Sequence, residues 1–107
     1  MRPPIYKNKT NIFQLEIKVN GVAVNISTDT VTLYLDKNLQ MTTPAITLAG
    51  DVATSGASGI VIFELTPTLS NKEIGRYFIQ AVWTLFGDTR SFIVLDDEIN
   101  IRDVIKV

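Results

Sequence analysis

Two apolar stretches near the C-terminus, separated by a short break, constrain the fold of this chain more than any other feature. Residues 76–85 read RYFIQAVWTL and residues 89–95 read TRSFIVL, with Phe86-Gly87-Asp88 between them as a turn signal. Both stretches are rich in β-branched and aromatic residues and short for helices, so they predict a β-hairpin. Because Ile, Val and Thr make up about a third of the chain, strands are expected throughout.

A second hairpin is predicted near the N-terminus. Residues 11–19 alternate between apolar and polar side chains, which is typical of a half-buried strand. Asn20-Gly21 follows, and this dipeptide favours a two-residue hairpin turn because both residues tolerate positive φ. One helical turn is expected around Leu69. The remaining predicted strands cover residues 22–26, 31–35, 45–52, 60–66 and 98–102.

The length of 107 residues leaves room for one domain. Seven or eight short strands separated by turns suggest a sandwich or a small barrel, and we favour the sandwich. Tyr77, followed by Trp83, is similar to an immunoglobulin-type strand, in which a Tyr caps a corner and a Trp packs between the sheets. We therefore expect an all-β fold, an immunoglobulin-like antiparallel β-sandwich of seven to eight strands over residues 11–102. An N-terminal arm (1–10) and a C-terminal tail (103–107) flank it.

Composition argues against several functions. The chain has no Cys and no His, so Ser-His-Asp and Cys-His nucleophiles cannot be built and zinc lacks its usual ligands. The formal net charge is −1 and the basic residues are scattered, which gives little support for nucleic-acid binding. No apolar run could span a bilayer, and no signal peptide is expected. We predict no enzymatic activity, cofactor, small-molecule substrate, nucleic-acid partner or membrane partner.

Three consecutive acids, Asp96, Asp97 and Glu98, stand between two predicted strands. One interpretation is a calcium site at one end of the sandwich, because hard cations take clustered oxygen ligands. The other is a solvated turn that keeps the last strand in register and discourages edge pairing. No fixed ligand spacing is present, so we favour the turn and predict no metal site.

Three predicted strands carry apolar side chains on both faces, whereas a sheet with one wetted face alternates more strictly. Phe78 and Val82 lie opposite the face that carries Trp83, and strict alternation groups Ile93 with Leu95. We predict that the arm or another protein covers these extra apolar side chains. The alternative is that they are ordinary surface residues, because more than half of a folded protein's accessible surface is apolar. The predicted contact residues are Ile5, Tyr6, Ile60, Ile62, Phe78, Val82 and Ile93.

Several of these motifs occur together in one family. They are FQLEI at residues 13–17, NGVAVNI at 20–26, TVTL at 30–33, the predicted strand at 59–66 with LTP at its end (65–67), and Gly75-x-Tyr77 followed by GDTRSF at 87–92. In this combination the chain resembles the N-terminal immunoglobulin-like domain of phage baseplate upper proteins. The resemblance covers residues 10–102.

The resemblance implies a non-enzymatic structural component of a phage tail tip, baseplate or neck. Such a domain would dock in a symmetric assembly against other virion proteins and copies of itself. The implied location is the virion, assembled in the cytoplasm of the bacterial host. The alternative is a carbohydrate-binding or adhesion module of the same fold, whose sugar platform would use Tyr34, Phe78 and Phe86.

Overall fold

The structure, a computed structural model, describes residues 4–38, 43–87 and 90–103. The start of the predicted arm (1–3), part of the loop after residue 36 (39–42), the tip of the last hairpin (88–89) and the end of the tail (104–107) lie outside these ranges. The described residues form β1 (Ile5–Tyr6), β2 (Asn11–Glu16), β3 (Lys18–Val19), β4 (Val22–Ala23), β5 (Thr30–Asp36), β6 (Ile46–Ala49), β7 (Ile60–Leu65), α1 (Pro67–Ser70), β8 (Gly75–Thr84) and β9 (Ser91–Arg102).

The strands form one large sheet and two pairs. The large sheet has five strands in the order β1-β9-β8-β5-β6, while β2 pairs with β7 and β3 with β4. The predicted all-β class is confirmed. The expectation of a purely antiparallel arrangement is wrong for one pair, because β1 runs parallel to β9 and makes the five-stranded sheet mixed. The described part of the chain has nine strands rather than seven to eight, since short pairs at the ends add to the count.

The core lies between the inner faces of the five-stranded sheet and the β2–β7 pair. Alternation along β5 and β8 buries every second side chain, as the sequence pattern predicts. Phe63 on β7 faces the same core and lies beside Phe13 on β2, with 5.5 Å between ring centroids. The buried residues of the three longest core strands are Val31, Leu33, Leu35, Tyr77, Ile79, Ala81, Trp83, Leu95, Ile99 and Ile101.

One side of the core is closed by the chain that follows β6. Asp51 pairs with Ile62 on β7 through two backbone hydrogen bonds, of 2.7 and 3.0 Å. The chain thus passes from the edge of the five-stranded sheet to the edge of the β2–β7 pair. This crossing joins the two layers on that side.

Local sequence accounts for the turns. Asn20 and Gly21 both adopt positive φ (53° and 80°), so the predicted hairpin turn between β3 and β4 is confirmed. The helical turn expected around Leu69 is α1. It begins with Pro67, and the Thr66 hydroxyl caps it by accepting a hydrogen bond from the Leu69 backbone N–H.

The connection after α1 is anchored by Tyr77. Its side chain is buried, and its hydroxyl donates a hydrogen bond to the backbone carbonyl of Glu73, 2.6 Å away. The aromatic ring therefore packs in the core while its polar end fixes the chain that enters β8. The sequence predicts this corner-capping role for Tyr77.

Strand β9 differs from the prediction in two ways. It is one continuous strand, so the turn predicted at Asp96, Asp97 and Glu98 is wrong. It also contains a β-bulge, because Ala81 pairs with Leu95 while the next residue of β8 pairs with Ile93. The extra residue reverses the alternation, so Leu95 is core and does not share a face with Ile93.

The predicted arm is partly built into the fold. Ile5 on β1 pairs with Ile101 and is only 1% exposed, so its side chain belongs to the core. The loop after β1 is fixed by Asn11, whose side chain exchanges two 2.9 Å hydrogen bonds with the backbone of Tyr6. It is also fixed by Ser70, whose buried hydroxyl donates to the carbonyl of Lys9 at 2.7 Å.

Candidate functional site

The predicted contact residues do not form one surface. Phe78, Val82 and Ile93 point outward from the five-stranded sheet. Ile60 and Ile62 lie in the other layer, on the outward side of β7, where they pair with Glu16 and Gln14 of β2. Tyr6 is partly exposed at the edge beside Arg102, and Ile5 is buried and offers no contact surface.

The largest grouping is therefore on the outward side of β6, β5, β8 and β9, which we call the outer face. Strand register arranges this face in rows. In one row, Thr32 of β5 lies next to Val82 of β8, and Val82 lies next to Ile93 of β9. Ile93 is 62% exposed. Side chains in register across neighbouring strands stand about 4.5–5.5 Å apart. Val82 and Ile93 therefore form a continuous apolar strip within this row.

Two further rows carry aromatic and acidic side chains. In the first, Phe78 lies between Asp36 of β5 and Glu98 of β9. In the second, Tyr34 and Asp96 flank Gln80, whose amide donates a 3.3 Å hydrogen bond to Asp96. Arg76, one row further along β8, approaches Glu98 at 3.6 Å; the Arg76 side chain is 66% exposed and that of Glu98 is 40% exposed.

An ion pair marks the end of β5. Lys37 Nζ lies 2.9 Å from Glu73 Oε1 and 5.7 Å from the centre of the Tyr77 ring. The hydrogen bond with Lys37 lowers the pKa of Glu73 below its ordinary value, and the same contact raises the pKa of Lys37. Burial raises the pKa of the Tyr77 hydroxyl. Lys37 comes directly after the last residue of β5. Its side chain therefore links the end of β5 to the connection after α1.

The acidic run of β9 does not gather into a cation site. Asp96 and Glu98 pair with Gln80 and Phe78 on the outer face, whereas Asp97 occupies the register position opposite Ile79, which faces inward. Consecutive residues of a strand point to opposite sides, so Asp97 points away from the face that carries Asp96 and Glu98. Among the described residues, no group of three or more acidic side chains could hold a metal ion.

A separate groove lies at the end of the molecule where the β3–β4 hairpin approaches the start of β9. Its volume is about 440 Å³, and Trp83 and Leu85 form part of its wall. Trp83 packs on Phe92, with 5.5 Å between ring centroids. The groove is mainly apolar. Its lining residues are Ile17, Lys18, Val19, Trp83, Leu85, Arg90, Phe92 and Val94.

Sequence reasoning missed several exposed apolar residues. Val19 and Val22 flank the Asn20-Gly21 turn, and their place at a hairpin tip could have been anticipated from that turn. The exposed position of Phe92 could not have been anticipated, because it depends on the bulge in β9. Among the residues that the structure describes, the large exposed apolar side chains are Tyr6, Ile12, Val19, Val22, Ile74, Phe86, Phe92 and Ile93, of which Tyr6 and Ile93 are predicted contact residues.

Two comparisons with known proteins found no match for the chain. The sequence matches no protein-family model, and no curated protein is similar enough to count as a match. In the part of the chain that the structure describes, no helix has the length and apolar character needed to cross a membrane.

Proposed function

We propose that this chain is a non-enzymatic structural domain of a phage virion, in the tail tip, baseplate or neck. It acts as an immunoglobulin-like docking module in a symmetric assembly. Its partners are other virion proteins and copies of itself. The observation that carries the docking role is the outer face, where an apolar strip and two aromatic residues lie on one side of a sheet instead of in the core.

Strand order supports the immunoglobulin-like part of this proposal. In that fold, one sheet contains the third, sixth and seventh strands and, in variable-type domains, an added edge strand, while the second and fifth strands pair in the other sheet. Here β9-β8-β5-β6 and β2–β7 follow the same arrangement. The hydrogen bond from Tyr77 to the Glu73 carbonyl resembles the tyrosine corner of such domains, and Trp83 is buried as expected.

The phage assignment rests on the resemblance of the sequence motifs, so it needs a direct test. Particles would be purified from lysing cells that carry the gene, and an antibody against this chain would be used for gold labelling in electron microscopy. We expect the label at one end of the tail or at the neck. A chain that stays in the particle-free fraction would contradict the virion assignment.

One observation favours the carbohydrate-binding alternative. Tyr34 and Phe78 occupy diagonal positions on adjacent strands of the outer face, with the polar side chains of Gln80 and Asp36 beside them. Aromatic rings next to amide and carboxylate groups suit a sugar ring. Phe86, the third expected platform residue, lies instead beyond the end of β8 and is 78% exposed. A glycan array on which Tyr34→Ala loses binding would support this function.

A further inference from the structure

The outer face is divided into an apolar part and an acidic part. Val82 and Ile93 form the apolar strip. The two neighbouring rows contain Asp36, Asp96 and Glu98. These two rows contain no basic residue. Their seven members are Asp36, Phe78, Glu98, Thr47, Tyr34, Gln80 and Asp96.

The charge of these rows is only partly balanced. Glu98 meets Arg76 at 3.6 Å, whereas Asp96 accepts a hydrogen bond from the neutral amide of Gln80. Asp36 accepts one from the backbone N–H of Lys37, whose ammonium group pairs with Glu73. The rows therefore keep an excess of negative charge.

The aromatic residues lie among these carboxylates. Phe78 has Asp36 on one side and Glu98 on the other, within one row of the sheet. A guanidinium group above an aromatic ring is attracted to its π face, and a carboxylate beside the ring can pair with it at the same time. Such an arrangement suits an arginine or lysine side chain more than any neutral group.

The same charges argue against a second copy of this face as the occupant. Two outer faces packed on each other around their centres would place carboxylates against carboxylates, which disfavours association. We propose that the outer face binds an extended segment of a different protein, one that bears arginine or lysine beside an aliphatic anchor for the Val82–Ile93 strip. This inference rests on the proposed docking function and names the chemistry of its partner.

The test uses three synthetic peptides of equal length, each with a central leucine between two arginines, two lysines or two glutamates, titrated into ¹⁵N-labelled protein. We expect the basic peptides to shift amide signals of β5, β8 and β9, and to bind about tenfold more tightly than the glutamate peptide at low salt. Equal binding of all three peptides, or no shifts at about 5 mM peptide, would overturn the proposal.

Matched variants locate the site. Asp96→Asn combined with Glu98→Gln should weaken binding of the arginine peptide about threefold to tenfold. The control variant Glu64→Gln, on the outward side of β7, should leave the affinity for the arginine peptide unchanged. Equal weakening by Glu64→Gln, or shifts confined to the groove near Val19, would overturn the assignment to this face. So would self-association of the protein through the outer face.

The outcomes also separate this inference from the docking function itself. If Ile93→Ser still removes the chain from particles but the arginine and glutamate peptides bind equally, only the partner chemistry is wrong. If Ile93→Ser leaves incorporation unchanged, the docking role of the outer face fails as well.

Discussion

The indole N–H of Trp83 donates a hydrogen bond to Oδ2 of Asp29, 2.8 Å away. The other oxygen of the same carboxylate accepts a 2.9 Å hydrogen bond from the backbone N–H of Phe86. One side chain thus joins the loop before β5 to the turn after β8. It also satisfies the polar atom of the only Trp, which is 7% exposed.

Replacing Asp29 should destabilise the fold. Asp29→Ala leaves the Trp83 and Phe86 donors without this acceptor, so we expect a loss of about 2 kcal/mol in the free energy of unfolding. Urea denaturation followed by Trp83 fluorescence measures it. Asp96→Ala, at an exposed site on β9, is the control and should change stability by less than about 0.5 kcal/mol. Equal effects would show that the Asp29 contacts contribute little.

Removing the hydroxyl of Tyr77 tests the corner before β8. Tyr77→Phe keeps the ring in the core but leaves the Glu73 carbonyl without its donor, so we expect a loss of about 1–1.5 kcal/mol. Chemical denaturation of both proteins gives the difference. Tyr34→Phe, which removes a hydroxyl from the outer face, is the matched control. A Tyr77→Phe variant as stable as the wild type would contradict the anchoring role.

Ser70 links the loop after β1 to α1. Its hydroxyl donates to the Lys9 carbonyl at 2.7 Å and accepts from the Lys9 N–H at 3.2 Å, and the side chain is fully buried. Ser70→Ala should cost about 1–2 kcal/mol and speed hydrogen exchange of the Lys9 amide. The exposed Ser58→Ala is the control. Unchanged exchange at Lys9 would show that other contacts hold this loop.

The docking role of the outer face can be tested with two isoleucines of equal exposure. Ile93 and Ile12 are both 62% exposed, but Ile12 lies on β2, in the other layer. Ile93→Ser should lower incorporation into particles about tenfold, as expected for loss of an interface anchor, while Ile12→Ser should leave it near the wild-type level. Quantitative mass spectrometry of purified particles measures both. The reverse order would place the docking surface on the β2–β7 layer.

The Lys37–Glu73 pair predicts a pH dependence of stability. Because Lys37 lowers the pKa of Glu73 from 4.5, the contribution of Glu73 is present above pH 4.5 and is lost as pH falls through the lowered value. Because the pKa of Lys37 is raised from 10.5, its contribution is present below pH 10.5 and is lost as pH rises through the raised value.

Urea midpoints of the wild type and Glu73→Gln should therefore differ at pH 7 and converge in strong acid. Glu64→Gln, at an exposed position on β7, serves as the control. A difference between wild type and Glu73→Gln that persists unchanged in strong acid would show that the charge of Glu73 is not its cause.

Sequence patterns predicted local features well. The inward face of β5, the turn at Asn20-Gly21 and the helical turn around Leu69 follow from side-chain period and turn chemistry. The capping role of Tyr77 follows from the similarity of its local sequence to an immunoglobulin-type strand. These features depend on residues within a few positions of each other, so they can be read along the chain.

The sequence-based predictions were wrong where residues far apart in the chain come into contact. Ile5 pairs with Ile101 at the opposite end of the chain, and no local pattern indicates that this pairing makes it a core residue. The bulge that separates Ile93 from Leu95 results from the register of β9 against β8, which the apolar pattern alone does not encode. For the same reason the acids at 96–98 extend a strand instead of forming a turn.

By itself, the sequence determined the all-β class and most of the buried residues, because the period of two along each strand is a local property. Only the tertiary structure decided which outward side chains lie together. Phe78, Val82 and Ile93 share one layer while Ile60 and Ile62 lie on the other. Strand order and register are set by contacts between segments far apart in the chain, so the composition of a surface emerges only after the sheets have formed.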